Sequence, residues 1–210
     1  MLKAGQPGSC VDDARWFPES AWHAHETLYA AFVLVLVLGL RRGEVLGLAW
    51  DHVDTGAAEL HVSEQLQRVG GRLVRREVKT ETSEAPLPLP DLCVTALKIR
   101  LQQQDADRVR AGDGWVDTGL VFTTRHGTPI EPRNFSRSFD RCITAARVPR
   151  ITVHGTRKTC AALLAALDVH PRVAMRILRH SKIGITMEVY TEVPSQATRD
   201  ALRKLGDWLA

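Results

Sequence analysis

The chain has 210 residues, which is enough for one sizeable domain and short for two. Hydrophobic residues make up 44% and charged residues 25% of the chain, a balance that is typical of a folded globular protein and excludes a disordered one. The formal net charge of +4 favours a polyanionic partner, although many basic proteins bind none.

The cysteines and the most apolar stretch exclude further classes of protein. Cys10, Cys93, Cys142 and Cys160 are widely spaced and form no CxxC pair, so we expect neither a disulfide framework nor a zinc site. Reduced thiols fit a cytoplasmic location best. The apolar stretch at residues 28–40 is shorter than the ~20 residues that span a bilayer. It predicts a buried core helix and no membrane partner.

The first half of the chain predicts two helices and then a small sheet. Residues 1–25 are an irregular leader or linker remnant, and a helix runs from about residue 21 through the apolar stretch to Gly39. A second short helix covers residues 42–49. The segments ELHVSEQLQRV and RLVRREVK flank a two-glycine turn and predict a β-hairpin, to which EAPLPLP adds an edge strand. We therefore expect one antiparallel sheet of about three strands.

Beyond the sheet the pattern is helical. Asp91 is the expected cap of a helix that ends near Gly112, with Cys93, Leu97 and Leu101 on its apolar face. A short hairpin or turn follows, with Gly127 at its tip. Helices are then predicted over 132–147, 154–167, 171–179, 185–191 and 195–209. The predicted fold class is mainly α with a small antiparallel β-sheet, in one domain over residues 26–210.

Several side chains could act on a phosphate, but each alone has an ordinary structural explanation. Arg41, in GLRRGE, stands where a helix begins, and such arginines are usually surface residues. His154 and Arg157, in HGTR, share a helix face at spacing i, i+3, which often arises by chance. Lys79 ends a strand, as solvated edge lysines do.

The segment HSKIGITMEVY supplies the last two candidates. His180 stands at a predicted helix C-terminus, where the helix dipole alone explains a histidine. Tyr190 is one of two tyrosines in the chain; the other, Tyr29, lies in the apolar stretch. Tyr190 is therefore either a core residue or a functional phenol.

The order of these motifs is far more specific than any one of them. GLRRGE, a hairpin lysine, HxxR, LxHS and a tyrosine ten residues later resemble the catalytic domain of the tyrosine recombinases, also called the phage integrase family. The resemblance covers residues 28–193. It implies that family's catalytic-domain fold, and a recombinase that cuts and rejoins double-stranded DNA through a 3′-phosphotyrosyl intermediate.

Elementary phosphoryl chemistry agrees with this resemblance. Paired guanidinium groups, here Arg41 and Arg157, can neutralise the charge of a phosphodiester transition state without a metal. We expect both arginines to be partly exposed in a cleft. A phenol with a pKa of about 10 is both a fair nucleophile and a fair leaving group when the strand is rejoined. Tyr190 is the expected nucleophile, since Tyr29 should lie in the core.

The resemblance implies the remaining roles. His154 would assist proton movement at the nucleophile, Lys79 would protonate the leaving 5′ oxygen, and His180 would donate a hydrogen bond to a non-bridging oxygen. Glu44 occupies the family's acidic position and would support the site structurally. No cofactor or metal is expected, and the protein would self-associate as a tetramer on DNA through its C-terminal segment.

The hairpin is expected to contribute to DNA binding. Four arginines lie on or around it and could meet backbone phosphates: Arg68, Arg72, Arg75 and Arg76. The alternative is a strand edge that charge protects from aggregation, and for any one of them it is about equally favoured.

The sequence also departs from the family pattern. Gly155 and Thr156 replace an acid and a packing leucine after His154, and Arg179 replaces a frequent glycine before His180. We expect no core-binding domain ahead of the catalytic one, hence weak DNA binding. Two alternatives remain: relaxation of DNA like that of a type IB topoisomerase, or a truncated fragment or regulator that binds DNA or a partner protomer without recombining it.

Overall fold

The structure is a computed structural model, and it describes residues 27–78, 86–179 and 203. The predicted leader and the helices predicted over 185–191 and 195–209 lie outside the described residues, as do Lys79, His180 and Tyr190. The domain boundary at residue 26 stays a prediction.

Helix α1, Tyr29–Val37, forms the centre of the core. Its residues 30–36 are all buried, because an apolar helix with no polar face must be covered on every side. It packs against four of the other described helices. Residues 27 and 28 form a turn, so this helix begins at Tyr29 and not at residue 21. It ends before Gly39, which has a φ of +60°, as predicted.

Helix α2, Arg42–Leu46, is shorter than the predicted 42–49 because it ends at Gly47. Its glycines face the neighbouring strand β3, Glu64–Val69. A Cβ on Gly47 would lie 2.8 Å from the Cα of Gln65, and one on Gly43 would lie 3.1 Å from the carbonyl oxygen of Leu66. The absence of side chains at these positions therefore lets the helix lie directly on the strand backbone.

The prediction of a single sheet was wrong, because the strands form two sheets. Among the described strands, β3 pairs only with β4, Arg72–Glu77, in the predicted hairpin around the two glycines. The second sheet contains β1, Val53–Asp54, β2, Glu59–Leu60, and β5, Leu87–Pro88. The pairing of Leu60 with Leu87 explains the division, since it places both leucines on one face and in the core.

Helix α3, Asp91–Ala111, has the predicted length, but two details differ. Its N-cap is Pro90 and not Asp91, and Leu101 is 44% exposed, not part of the apolar face. The buried face continues instead through Arg100 and Gln104, which lie at i+7 and i+11 from Cys93. The Arg100 guanidinium donates hydrogen bonds to the carbonyl oxygen of Val121 and to Thr123 Oγ1.

The remaining described helices match the predictions to within one residue at each end. A turn with Gly127 in a positive-φ conformation precedes them. They are α4, Pro132–Ala146, α5, Gly155–Ala166, and α6, Pro171–Leu178. Phe135 and Phe139 of α4 contact the ring of Phe32 in α1. The predicted fold class, mainly helical with small antiparallel sheets, is confirmed.

Candidate active site

A cleft of about 350 Å³ brings together residues from the start of α2 and the start of α5. Three of the predicted site residues, Arg41, His154 and Arg157, line it together. Arg41 precedes His154 and Arg157 by more than a hundred positions in sequence, so the fold alone makes them neighbours. The other lining residues are Leu40, Arg42, Ser136, Asp140, Arg150, Thr152 and Val153.

Arg41 is fixed by Glu44, one helical turn later. The Arg41 backbone N–H donates to Glu44 Oε2 and its Nη1 donates to Oε1, both at 2.7 Å. The Glu44 side chain is buried, whereas that of Arg41 is 48% exposed. The buried Glu44 therefore orients the Arg41 side chain and leaves the rest of the Arg41 guanidinium accessible from the cleft.

Arg157, in contrast, is only 7% exposed, so the expectation that both arginines are partly exposed was wrong for this one. Its Nη1 donates to the carbonyl oxygen of Gly39 at 2.6 Å, and its Nη2 donates to that of Leu178. Burial, followed by the positive charge of Arg41, lowers the pKa of Arg157 to about 10. Arg157 is thus still a cation at neutral pH.

Gly39 is what allows this arrangement. A Cβ at its position would lie 2.6 Å from Leu178 Cδ2, and its φ of +60° favours glycine. The loop before Arg41 can therefore approach α5 and α6 closely enough for its carbonyl to meet Arg157.

His154 is the N-cap residue of α5 and is exposed in the cleft. Gly155 and Thr156, which stand in place of the family's acid and packing leucine, still leave the start of the helix supported. The N–H of Gly155 donates to Thr152 Oγ1 at 3.0 Å, so a threonine upstream satisfies it. Thr156 is fully buried, and its hydroxyl donates to the carbonyl oxygen of Val153 at 2.7 Å.

Glu44 has a second partner that the sequence pattern did not reveal. Arg179, at the end of α6, donates from Nη2 to Glu44 Oε2 at 2.5 Å, and both side chains are buried. Burial alone raises the pKa of Glu44, but the charges of Arg179 and Arg41 and the hydrogen bonds from Arg41 outweigh it. The pKa of Glu44 is therefore lower than its ordinary value. Glu44 is therefore ionised between two arginines at neutral pH.

Other cleft residues were also missed. Arg42 donates to Ser136 Oγ at 2.8 Å, and Arg150 and Asp140 lie beside it in the lining. The doublet in GLRRGE is the one sequence signal that could have indicated Arg42. Four arginines against a single aspartate make the lining of the cleft cationic. A cationic cleft with guanidinium donors suits a phosphate or another oxyanion.

The hairpin arginines divide into two pairs that face opposite ways. Arg75 lies directly opposite the buried Leu66 in the ladder, and Arg68 lies two residues after Leu66 on the same strand. Both arginines therefore share a face with this leucine. Arg68 binds Glu131 at 2.5 Å, and Arg75 binds Glu64. Arg72 and Arg76 lie on the other face, are exposed, and have no ion pair with another described residue. Two of the predicted phosphate contacts are thus already engaged within the protein.

The other predicted site residues, Lys79, His180 and Tyr190, lie outside the described residues. Within the described part of the chain, no group of three His, Cys, Asp or Glu side chains could hold a metal ion. None of its helices is long and apolar enough to cross a membrane.

Comparison with known proteins identifies the family. The model of the phage integrase family matches residues 19–196. A tyrosine recombinase XerC-like protein of Caldanaerobacter subterraneus subsp. tengcongensis is 31% identical over 192 residues, which is 86% of this chain and 49% of that protein. An integrase of Streptomyces ambofaciens is 30% identical over 89% of this chain and 50% of its own length. The chain thus spans about half the length of the curated relatives it matches.

Solved structures share the fold. The Tn1549 transposon integrase in complex with transposon right end DNA superposes with a TM-score of 0.76 at 21% identity, over 98% of this chain and 67% of that one. The XerA recombinase superposes with a TM-score of 0.64 at 20% identity, over 92% of this chain and 63% of that one.

Proposed function

Because this chain belongs to the phage integrase family of tyrosine recombinases, we propose that it cuts and rejoins double-stranded DNA in site-specific recombination. The nucleophile in this proposal is Tyr190, and the intermediate is a 3′-phosphotyrosyl bond. The observation that carries the proposal is the cleft in which Arg41, His154 and Arg157 meet. These are the described members of the motif set that defines the resemblance.

The arginines would hold the scissile phosphate. Arg41 offers an exposed guanidinium whose orientation Glu44 fixes, and Arg157 adds a buried positive charge behind it. Preorganised charges in a partly closed cleft stabilise a transition state more than the same charges in water do. His154, exposed at the same cleft, is placed to exchange a proton with a group bound there.

The proposed reaction has two steps. The Tyr190 oxygen attacks phosphorus, a tyrosine–phosphate bond forms and the bond to the 5′ oxygen breaks. The phenol proton leaves with the help of His154, the 5′ oxygen takes a proton from Lys79, and His180 donates a hydrogen bond to a non-bridging oxygen. The 5′-hydroxyl of a partner strand then attacks the phosphotyrosine and gives its proton back to Lys79, while the bond to the Tyr190 oxygen breaks and the phenol regains its proton with the help of His154. One phosphoester replaces another in each step, so no nucleotide cofactor is needed, and we expect activity in the presence of EDTA.

Double-stranded DNA is the proposed partner, and its backbone is the polyanion that the cationic cleft suits. Relatives of this fold include structures of integrase–DNA complexes. Assembly of a tetramer on DNA through residues 195–210 belongs to the same proposal, as does a cytoplasmic location. Deletion of residues 195–210 should then abolish strand exchange between two duplexes while strand cleavage by the protomer persists.

Covalent trapping tests the proposed function. The chain is incubated with nicked duplex fragments of the replicon that carries its gene, since a nick beside the cleavage point lets the short leaving strand diffuse away. The reaction is then resolved on a denaturing gel. A protein–DNA adduct that is absent with Tyr190→Phe supports the proposal. Absence of an adduct from the wild-type chain on every fragment would contradict it.

The same substrates distinguish the alternative functions. A type IB topoisomerase-like activity would relax supercoiled plasmid without exchanging strands between duplexes. A regulator that only binds DNA would shift the fragments on a native gel and give no adduct. Strand exchange between two labelled duplexes is the result that the recombinase proposal predicts.

A further inference from the structure

We propose that Arg179 is a positioning residue of the active site, which holds the Glu44 carboxylate in place and through it orients Arg41 for DNA cleavage. This inference rests on the proposed function and assigns a role to a residue at which glycine is frequent in the family. It concerns a described residue that directly precedes His180.

The first observation is the geometry of the Arg179 side chain. Arg179 is 5% exposed, although it follows the last residue of α6, and its guanidinium reaches across to Glu44 on α2. The two residues are 135 positions apart in sequence. Glu44 Oε2 thus accepts from Arg179 as well as from the backbone of Arg41, while Oε1 accepts from the Arg41 side chain. Both carboxylate oxygens are engaged, and the two arginines are joined by one buried group.

The second observation is that the main chain at Arg179 adopts a conformation suited to glycine. Its φ of +51° and ψ of +50° lie in the left-handed region, which most residues avoid. Burial of a guanidinium adds a further cost, and its Nε and Nη1 are buried without a hydrogen-bond partner among the described residues. The main-chain conformation and the buried guanidinium both cost stability. A role of the contact with Glu44 in the reaction explains why an arginine nevertheless stands at this position.

The third observation links Arg179 to Arg157 of the cleft. Arg157 donates to the carbonyl oxygen of Leu178, the residue directly before Arg179. The end of α6 is therefore fixed twice, by Arg157 at its main chain and by Glu44 at the next side chain. A change at Arg179 would disturb Glu44 and Arg41 while leaving the bond from Arg157 to the main chain available.

Charge explains why a cation is suited to this position. The charged groups that face Glu44 are Arg41 before α2, Arg157 on α5 and Arg179 after α6. The charge of Arg179 is the largest influence that keeps the pKa of Glu44 low against the effect of burial. Without Arg179, Glu44 should take up a proton at a higher pH and then hold the Arg41 side chain less strongly, because a neutral carboxyl is a weaker acceptor than a carboxylate.

The main test compares two arginines in the same backbone conformation. Arg147, at the end of α4, has a φ of +55°, close to that of Arg179, but it is exposed. Arg147→Gly and Arg179→Gly therefore relieve a similar backbone strain and differ in the loss of a buried charge. Adduct formation is measured at saturating DNA on the nicked fragments, and DNA affinity is measured separately on a native gel.

The proposal predicts a loss in rate and not in affinity. Arg179→Gly should slow adduct formation about tenfold or more at saturating DNA, with the dissociation constant changed less than about threefold. The acidic limb of the pH–rate profile of Arg179→Gly should move to higher pH than that of the wild type. Arg147→Gly should match the wild type in all three measurements. Arg179→Lys should recover part of the rate, because an ammonium can still bind Glu44.

A double-mutant cycle with Glu44→Gln identifies the route of the effect. A neutral amide needs no counter-charge, so the double variant is expected to fold even if Arg179→Gly alone does not. Addition of Arg179→Gly to Glu44→Gln should slow cleavage less than about threefold further. An equal loss in both backgrounds would overturn the proposal, because Arg179 would then act independently of Glu44.

Failure of this inference and failure of the proposed function give different results. If the wild type cleaves DNA and Arg179→Gly is fully active, the role of Arg179 is ruled out and the proposed function stands. A wild-type chain that forms no adduct removes the proposed function and this role with it.

Discussion

The guanidinium of Arg157 donates a hydrogen bond of 2.6 Å to the carbonyl oxygen of Gly39, 118 residues earlier in the chain. Its other terminal nitrogen donates to Leu178. One side chain on α5 thus joins the loop before Arg41 to the end of α6. The residue that supplies positive charge to the cleft also holds together the segments that form it.

Replacement of Arg41 and replacement of Arg157 should therefore have different effects on stability. Arg157→Ala leaves two buried carbonyl groups without a donor and should lower the free energy of unfolding by about 2–4 kcal/mol. Arg41→Ala removes a half-exposed side chain while the Arg41 N–H still binds Glu44, so the loss should stay within about 1 kcal/mol. Urea unfolding measures both. Equal losses would contradict the structural role of Arg157.

Gly47 gives a prediction about the contact between α2 and β3. A Cβ at Gly47 would lie 2.8 Å from backbone atoms of Gln65 and Leu66, which cannot move as a flexible side chain could. Gly47→Ala should therefore destabilise the protein by about 1–3 kcal/mol. Gly114→Ala is the matched control, because no atom lies within 4 Å of its Cβ position. Thermal unfolding of the two variants should differ clearly; similar melting temperatures would refute the close packing.

The pH dependence of stability should report on Glu44. Its pKa is lowered in the folded protein, so the folded state binds this proton less readily than the unfolded chain, where a glutamate titrates near about 4.3. The stabilisation is present above that pH and is lost as the pH falls through the lower, folded pKa. Urea unfolding of the wild type and of Glu44→Gln should thus differ at pH 7 and converge in acid. A constant difference at every pH would argue against an ionised Glu44.

The two faces of the hairpin should contribute unequally to DNA binding. Arg72 and Arg76 have no ion pair with a described residue, so each is available to a phosphate. Arg72→Ala and Arg76→Ala should each reduce the slope of log affinity against log salt by about 1. Arg68→Ala and Arg75→Ala should change it less, because Glu131 and Glu64 compete for these arginines. Equal slopes for all four variants would remove this distinction.

Much of the fold could be predicted because its helices follow from local signals. Apolar periodicity and the prolines at residues 132 and 171 define helices α4 to α6 to within a residue. Pairing of the short strands could not be predicted in this way. It depends on the joint burial of Leu60 and Leu87, which are distant in sequence and are not joined by a tight turn.

The site shows the same limit. Arg41, His154 and Arg157 could be found from the order of their motifs, and the structure places all three at one cleft. The burial of Arg157 could not be predicted from the sequence, because it depends on the close approach of two segments that Gly39 permits. Arg179 was visible only as a departure from glycine. Its contact with Glu44 joins residues 135 positions apart in sequence and has no local signature.

The measurement that tests the central claim most directly is the identification of the covalent bond in the trapped adduct. The adduct is digested with protease and nuclease, and the linked peptide is sequenced by mass spectrometry. The proposed mechanism predicts a nucleotide joined through its 3′-phosphate to Tyr190, with a free 5′-hydroxyl on the cleaved strand. A bond to any other residue, or to a 5′-phosphate, would contradict it.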